Sequence, residues 1–212
     1  MSDTPLAEQY ADLQQQRDAA LLGIWVFLST EVLFFGGLIL AYCVYRYAYS
    51  AAFAEAARHT RIVIGTGNTA ILLTSSFLVA WAVGVAKLGA GRVAGTLLWG
   101  AAALGVIFIA LKGVEYYGEI GEGLFPGVNF SITGQHAGGA RLFFTFYFIA
   151  TGLHALHVAI GIVALIAIGA RAHEGAYSAR YNGPITVAAL YWHFVDLVWI
   201  FLFALIYLPG RA

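Results

Sequence analysis

ITVAALYWHFVDLVWIFLFALIYL, residues 185–208, contains one charged side chain, Asp196, and one histidine, His193. An α-helix rises about 1.5 Å per residue, so about 20 residues cross a hydrocarbon core about 30 Å thick. This run is long enough. In lipid each backbone N–H and C=O must be satisfied within the segment itself, which makes a single apolar run of this length a helix. Four more such runs precede it, at 19–45, 62–86, 93–111 and 142–170. The reading is an all-α integral membrane bundle of five transmembrane helices, with a polar N-terminal segment at 1–18 and a single membrane domain over 19–212.

Composition agrees with that reading. Hydrophobic residues make up 61% of the chain and charged residues 10%, where a soluble domain carries about 25% charged residues. So few charges cannot clothe a water-facing surface, and most of them are expected in loops. The 11 basic and 11 acidic residues cancel, so no field draws the chain to nucleic acid, and nucleic-acid binding is excluded. Cys43 is the sole cysteine, which excludes an intrachain disulfide, a Cys-rich zinc site and a protein-ligated iron–sulfur cluster. Residues 1–18 lack the basic start and short apolar run of a cleavable signal, so the first helix is expected to direct insertion.

Charge collects in the breaks at 46–61, 87–92, 112–141 and 171–180. The third break is unusual, because Glu115, Glu119 and Glu122 recur at i, i+4 and i+7 on one helical face. The expectation is a solvated helical extension followed by a Gly-rich turn at Phe125-Pro126-Gly127. Tyr42, Tyr45, Tyr47 and Tyr49 near the end of the first span, and Tyr207 near the end of the last, are expected to form an interfacial aromatic belt. Lys and Arg divide five to six between the two sides (Arg17, Lys87, Arg92, Arg171, Arg180 against Arg46, Arg58, Arg61, Lys112, Arg141, Arg211), which leaves orientation open by the positive-inside rule.

Five ionisable residues fall deep inside spans, where they are costly and usually face the bundle interior. They are Glu31 in the first span, His154 and His157 in the fourth, and His193 and Asp196 in the fifth. The first and fifth spans run the same way, which sets Glu31 and Asp196 at nearly the same depth, and the fourth brings its histidines to that level. His154 and His157 are spaced i, i+3, as are His193 and Asp196, so each pair shares a face. One reading is a buried polar network linking helices, with no catalytic residue, bound cofactor or metal in this chain. Glu31 is the most demanding member, since a carboxyl at the bilayer centre needs a partner or a proton. The other reading is a b-type haem held between His154 or His157 and His193. Gly36-Gly37, Gly65, Gly67, Gly152 and Gly161 are expected to be helix contacts, and Asn68, Thr69, Thr74, Ser75 and Ser76 to give the second span a polar side facing protein.

The same residues carry a family resemblance. Trp25 to Phe35, WVFLSTEVLFF, resembles the helix that surrounds a buried glutamate in subunit III of haem-copper respiratory oxidases, with Glu31 at the glutamate. Gly67-Asn68-Thr69 with Leu72-Leu73 and Ser75-Ser76, Glu115-Tyr116-Tyr117, and Thr151-Gly152-Leu153-His154-Ala155-Leu156-His157-Val158 with Gly161 are similar to further motifs of that family. The most specific match is Tyr191-Trp192-His193-Phe194-Val195-Asp196-Leu197-Val198-Trp199.

The resemblance implies the five-helix form of cytochrome c oxidase subunit III, a non-redox chain that packs on subunit I and other respiratory-complex subunits. By the same resemblance it is expected to bind phospholipids in a cleft and to protect the catalytic subunit during turnover. Haem and copper are implied in the partner subunit I, where oxygen is reduced to water with electrons from cytochrome c or quinol and with proton pumping. The implied location is the bacterial cytoplasmic membrane, with the N-terminus cytoplasmic. The sequence departs from the family pattern at Lys112, where many members carry Gln, at Thr186, where a Glu is common, and in the longer segment 121–141. Nitric-oxide-reductase-associated relatives share the Leu111-Lys112 … Glu115-Tyr116 and Thr151-to-Val158 elements, and form the alternative within the superfamily. A bis-His membrane anchor or a transporter is the alternative outside it.

Overall fold

The computed structural model describes residues 7–127, 130–179 and 181–209. Among them lie six helices and no strand: α1 (Leu13–Ala48), α2 (Ser50–Ala57), α3 (Ile62–Lys87), α4 (Gly91–Gly121), α5 (Ala137–His173) and α6 (Gly183–Tyr207). Five of them, all but α2, are long and apolar enough to cross a membrane. Local chemistry sets several ends. The Asp12 carboxylate accepts the Gln15 N–H at 2.7 Å to cap α1, and Pro184 starts α6, where its missing N–H costs nothing. Gly89, at φ 81°, takes the left-handed conformation that lets α3 turn back into α4.

Helices α3, α4, α5 and α6 close into a ring of four, and α1 lies outside it against α6 and α5. The α3–α4 hairpin is the most extensive contact. One line of buried residues on α3 falls at Gly65, Asn68, Leu72, Ser75, Val79, Ala82 and Ala86, and one on α4 at Ala94, Leu98, Ala101, Gly105, Phe108, Lys112, Glu115 and Glu119, with Gly95 and Ala102 buried beside it. The two lines alternate by three and four, the spacing of a coiled-coil seam. Close approach depends on small residues. Trp192 sits between α4 and α5, and a Cβ added at Gly105 or Gly161 would lie 2.8 Å from its indole. Gly65 packs on Tyr207 and Phe203, whereas Gly36, Gly37 and Gly67 have open space where a Cβ would sit. Three of the expected helix contacts therefore touch no neighbouring helix where a Cβ would sit.

The break at 46–61 contains α2, whose Phe53 is buried with its ring 5.5 Å from Tyr42 and 5.6 Å from Phe143. Tyr42 and Tyr207 do not join the aromatic belt. The Tyr42 hydroxyl donates to the Leu205 carbonyl at 2.7 Å, and Tyr207 is wholly buried. Tyr45, Tyr47 and Tyr49 remain exposed.

The expected extension after the third span is helical, but it is not solvated. Glu115 and Glu119 are both 0% exposed. Of the three glutamates Glu122 alone reaches solvent, where it pairs with Arg61 at 2.8 Å. The reason is register: Glu115 and Glu119 continue the buried seam of Gly105, Phe108 and Lys112 rather than starting a new face.

Candidate functional site

Each intramembrane ionisable residue is carried on the inward or helix-facing side of a long helix. Glu31 of α1 meets His157 of α5, with Oε2 and Nε2 3.1 Å apart. The other ring nitrogen, Nδ1, lies 2.8 Å from the Leu153 carbonyl, which can only accept, so Nδ1 carries a hydrogen. One proton is then shared between Glu31 and His157, as imidazolium and carboxylate or as imidazole and carboxylic acid. The Tyr191 hydroxyl donates to the His157 carbonyl at 3.1 Å, and Phe35 packs edge-on to the ring. This knot ties α1, which buries only Leu28, Phe35 and Tyr42, to α5 and α6.

On the other side of α6, hydroxyls of α3 receive its polar groups. His193 Nδ1 lies 2.6 Å from Ser76 Oγ, Trp192 Nε1 donates to Ser75 at 3.0 Å, and Trp199 Nε1 donates to Thr69 at 3.0 Å. The polar side read on α3 thus faces protein at Asn68, Thr69, Ser75 and Ser76, while Thr74 is exposed. Asp196 is buried with Oδ1 unpartnered, and no hydrogen bond joins it to His193 among the described residues. His154 is fully buried inside the ring, stacked on Trp199 at 5.2 Å and edge-on to Phe108, with both ring nitrogens unpartnered. The structure thus joins Glu31 to His157 and His193 to Ser76, sets Asp196 close to that same Ser76, and leaves His154 apart from both pairs. Among the described residues no three His, Cys, Asp or Glu side chains converge as a metal cage.

A second polar cluster lies toward the C-terminal ends of α4 and α6. The Lys112 ammonium donates to Glu115 Oε2 at 2.9 Å, to the Tyr147 hydroxyl at 2.9 Å and to the Tyr207 hydroxyl at 2.8 Å. The Tyr207 hydroxyl in turn donates to Glu115 at 2.9 Å. Aromatic rings enclose the cation, with Tyr147, Tyr116, Tyr207 and Trp199 centroids between 4.7 and 5.6 Å away. All three ammonium hydrogens are used, which a buried lysine requires. Sequence reasoning placed Lys112 and Glu115 on a solvated helical extension and Tyr207 in an interfacial belt. The signal that finds them is the three-and-four spacing of α4, which runs without a break from apolar residues into Lys112, Glu115 and Glu119.

Comparison with known proteins decides the family. The family model of cytochrome c oxidase subunit III matches residues 13–211. The chain is 32% identical over 209 residues to cytochrome c oxidase subunit 3 of Thermostichus vulcanus, covering 98% of this chain and 95% of that one. It is 33% identical over 194 residues to the corresponding protein of a Synechocystis species (90% and 76% covered). The figure for Corynebacterium diphtheriae is 32% over 203 residues (91% and 92% covered). This chain belongs to the cytochrome c oxidase subunit III family. As a subunit III chain it is an integral membrane protein of a respiratory oxidase family, and both polar clusters lie within the residues that match.

Proposed function

We propose that this chain is the non-redox subunit III of a haem-copper terminal oxidase in a bacterial cytoplasmic membrane, with its N-terminus in the cytoplasm. It holds no haem or copper; it packs on subunit I, which carries both, and stabilises that subunit during turnover. Oxygen reduction to water and proton pumping belong to the complex. The observation that carries this reading is the family match along the whole five-helix bundle. The chemistry of the site is consistent with it. The nitrogens of His157 that could hold an iron are spent on Leu153 and Glu31, and Nδ1 of His193 on Ser76. Polar groups used this way hold helices in register.

Phospholipid is the ligand of this reading. An apolar groove of about 300 Å³ runs between α1 and α6, lined by Val32, Phe35, Gly36, Phe194, Leu197 and Phe201 among others. It offers acyl chains a surface free of polar groups.

The test is purification from native membranes in mild detergent, with a visible spectrum of each separated chain. The expected outcome is co-purification with a larger chain bearing haem and copper, and no haem absorption from this one. A stoichiometric bis-His spectrum on the isolated chain, or recovery as a lone homo-oligomer, would overturn the proposal.

A further inference from the structure

The buried cluster around Lys112 is unbalanced. Two carboxylates, Glu115 and Glu119, stand on successive turns of α4 with one ammonium, and that ammonium spends its three hydrogens on Glu115, Tyr147 and Tyr207. Lys112 and Glu115 already cancel. Glu119 is 0% exposed and neither of its oxygens makes a hydrogen bond. The Tyr147 hydroxyl, which accepts from Lys112 and so has its own hydrogen to give, lies close by but outside hydrogen-bonding geometry. Arg61 is the other cation near Glu119, and it is engaged with Glu122 at the surface. A lone carboxylate in this interior would be an uncompensated charge, a state that costs several kcal/mol. A proton removes the charge.

We propose that Glu119 is a proton-binding site inside the bundle, loaded from the aqueous side that carries Arg61 and Glu122. Access follows from position. Glu122, which caps the end of α4, is half-exposed three residues beyond Glu119, about 4.5 Å along the helix axis. The Arg61 guanidinium, paired with Glu122, lies against Gly118, the residue before Glu119, where an added Cβ would be 2.6 Å from it. Leu124, itself buried, folds back with its N–H on the Glu119 carbonyl at 2.9 Å and closes the helix end. The groups that face the site are therefore Lys112, Glu115 and Tyr116 on α4, Tyr147 on α5, Tyr207 on α6, and Arg61 with Glu122 at its mouth. The proposal stands independently of the oxidase assignment, because it uses only this chain's own charges.

Infrared difference spectroscopy of the full chain in lipid nanodiscs tests it. The expected spectrum contains a carbonyl band of a protonated carboxylic acid that shifts in heavy water, is lost in Glu119→Gln and persists in Glu122→Gln. Glu115→Gln leaves one carboxylate for Lys112, so the same band is lost there because Glu119 becomes the counter-ion. Arg61→Ala, which leaves Glu119 untouched, speeds deuterium exchange of that band. Identical carboxyl regions in wild type and Glu119→Gln, a band that survives Glu115→Gln, or an exchange rate indifferent to Arg61 would each overturn the proposal.

Discussion

Lys112 is the residue whose removal should be felt most. It is desolvated with Glu115, and deleting it strands that carboxylate, at a cost of about 3–5 kcal/mol, whereas deleting Glu115 leaves Glu119 to take its place. Lys112→Met should therefore destabilise the chain by about that amount, while Lys112→Met combined with Glu115→Leu should recover most of it. A double-mutant cycle on thermal unfolding in detergent measures both. Equal loss in the single and double variants would show that the pair is not the source of the effect. The Glu31–His157 pair is a milder case. Polar links between membrane helices are worth roughly 0.6 kcal/mol on average and at most about 1.7, so the coupling between Glu31→Gln and His157→Phe should fall in that range. A coupling near zero would mean that α1 is held by packing alone. Both residues of this pair were visible in the sequence, because an ionisable side chain amid apolar ones stands out. Their partners were not, since the spacing of Glu31 and His157 along the chain says nothing about which helices touch.

At the scale of elements, the two kinds of glycine separate cleanly. Gly161 has the Trp192 ring 2.8 Å from where a Cβ would lie, and Gly37 has nothing within 4 Å. Gly161→Ala should push α5 from α6 and cost about 1–3 kcal/mol. Gly37→Ala should be neutral or slightly stabilising, since Ala favours a helix over Gly by roughly 0.8–1.0 kcal/mol. Thermal melting of the two variants side by side checks this, and similar melting shifts would undo the distinction. The existence of five long helices was legible from hydropathy, yet where α4 ends was not. Charge at Lys112 and beyond looked like a water-facing extension past the span, because a window of hydropathy weighs residue type and ignores direction. The register of α4 held the answer: Gly105, Phe108, Lys112, Glu115 and Glu119 share one seam, and Lys112 and Glu115 pair with each other and with the Tyr147 and Tyr207 hydroxyls from other helices.

In the whole molecule, α1 stands apart from the four-helix ring, with Leu22, Leu33 and Leu40 strongly exposed. A lipid-soluble carbene label should therefore modify α1 far more heavily than α6, which buries Trp192, Val195, Trp199 and Leu202. Peptide-resolved mass spectrometry of the labelled chain gives the ratio, and equal labelling would place α1 inside the bundle. That every span is helical, how many spans there are, and which midplane residues are polar were all determined by the sequence alone. The reason is that lipid solvates neither unpaired backbone nor charge, so membership of the membrane is written in each segment by itself. The partners of Glu31 and His193, the inward turn of Tyr42 and Tyr207, and the burial of Lys112, Glu115 and Glu119 were decided only by tertiary structure. Those depend on which helix faces approach one another, and a buried charge is tolerated only where groups from several helices meet it at hydrogen-bonding distance.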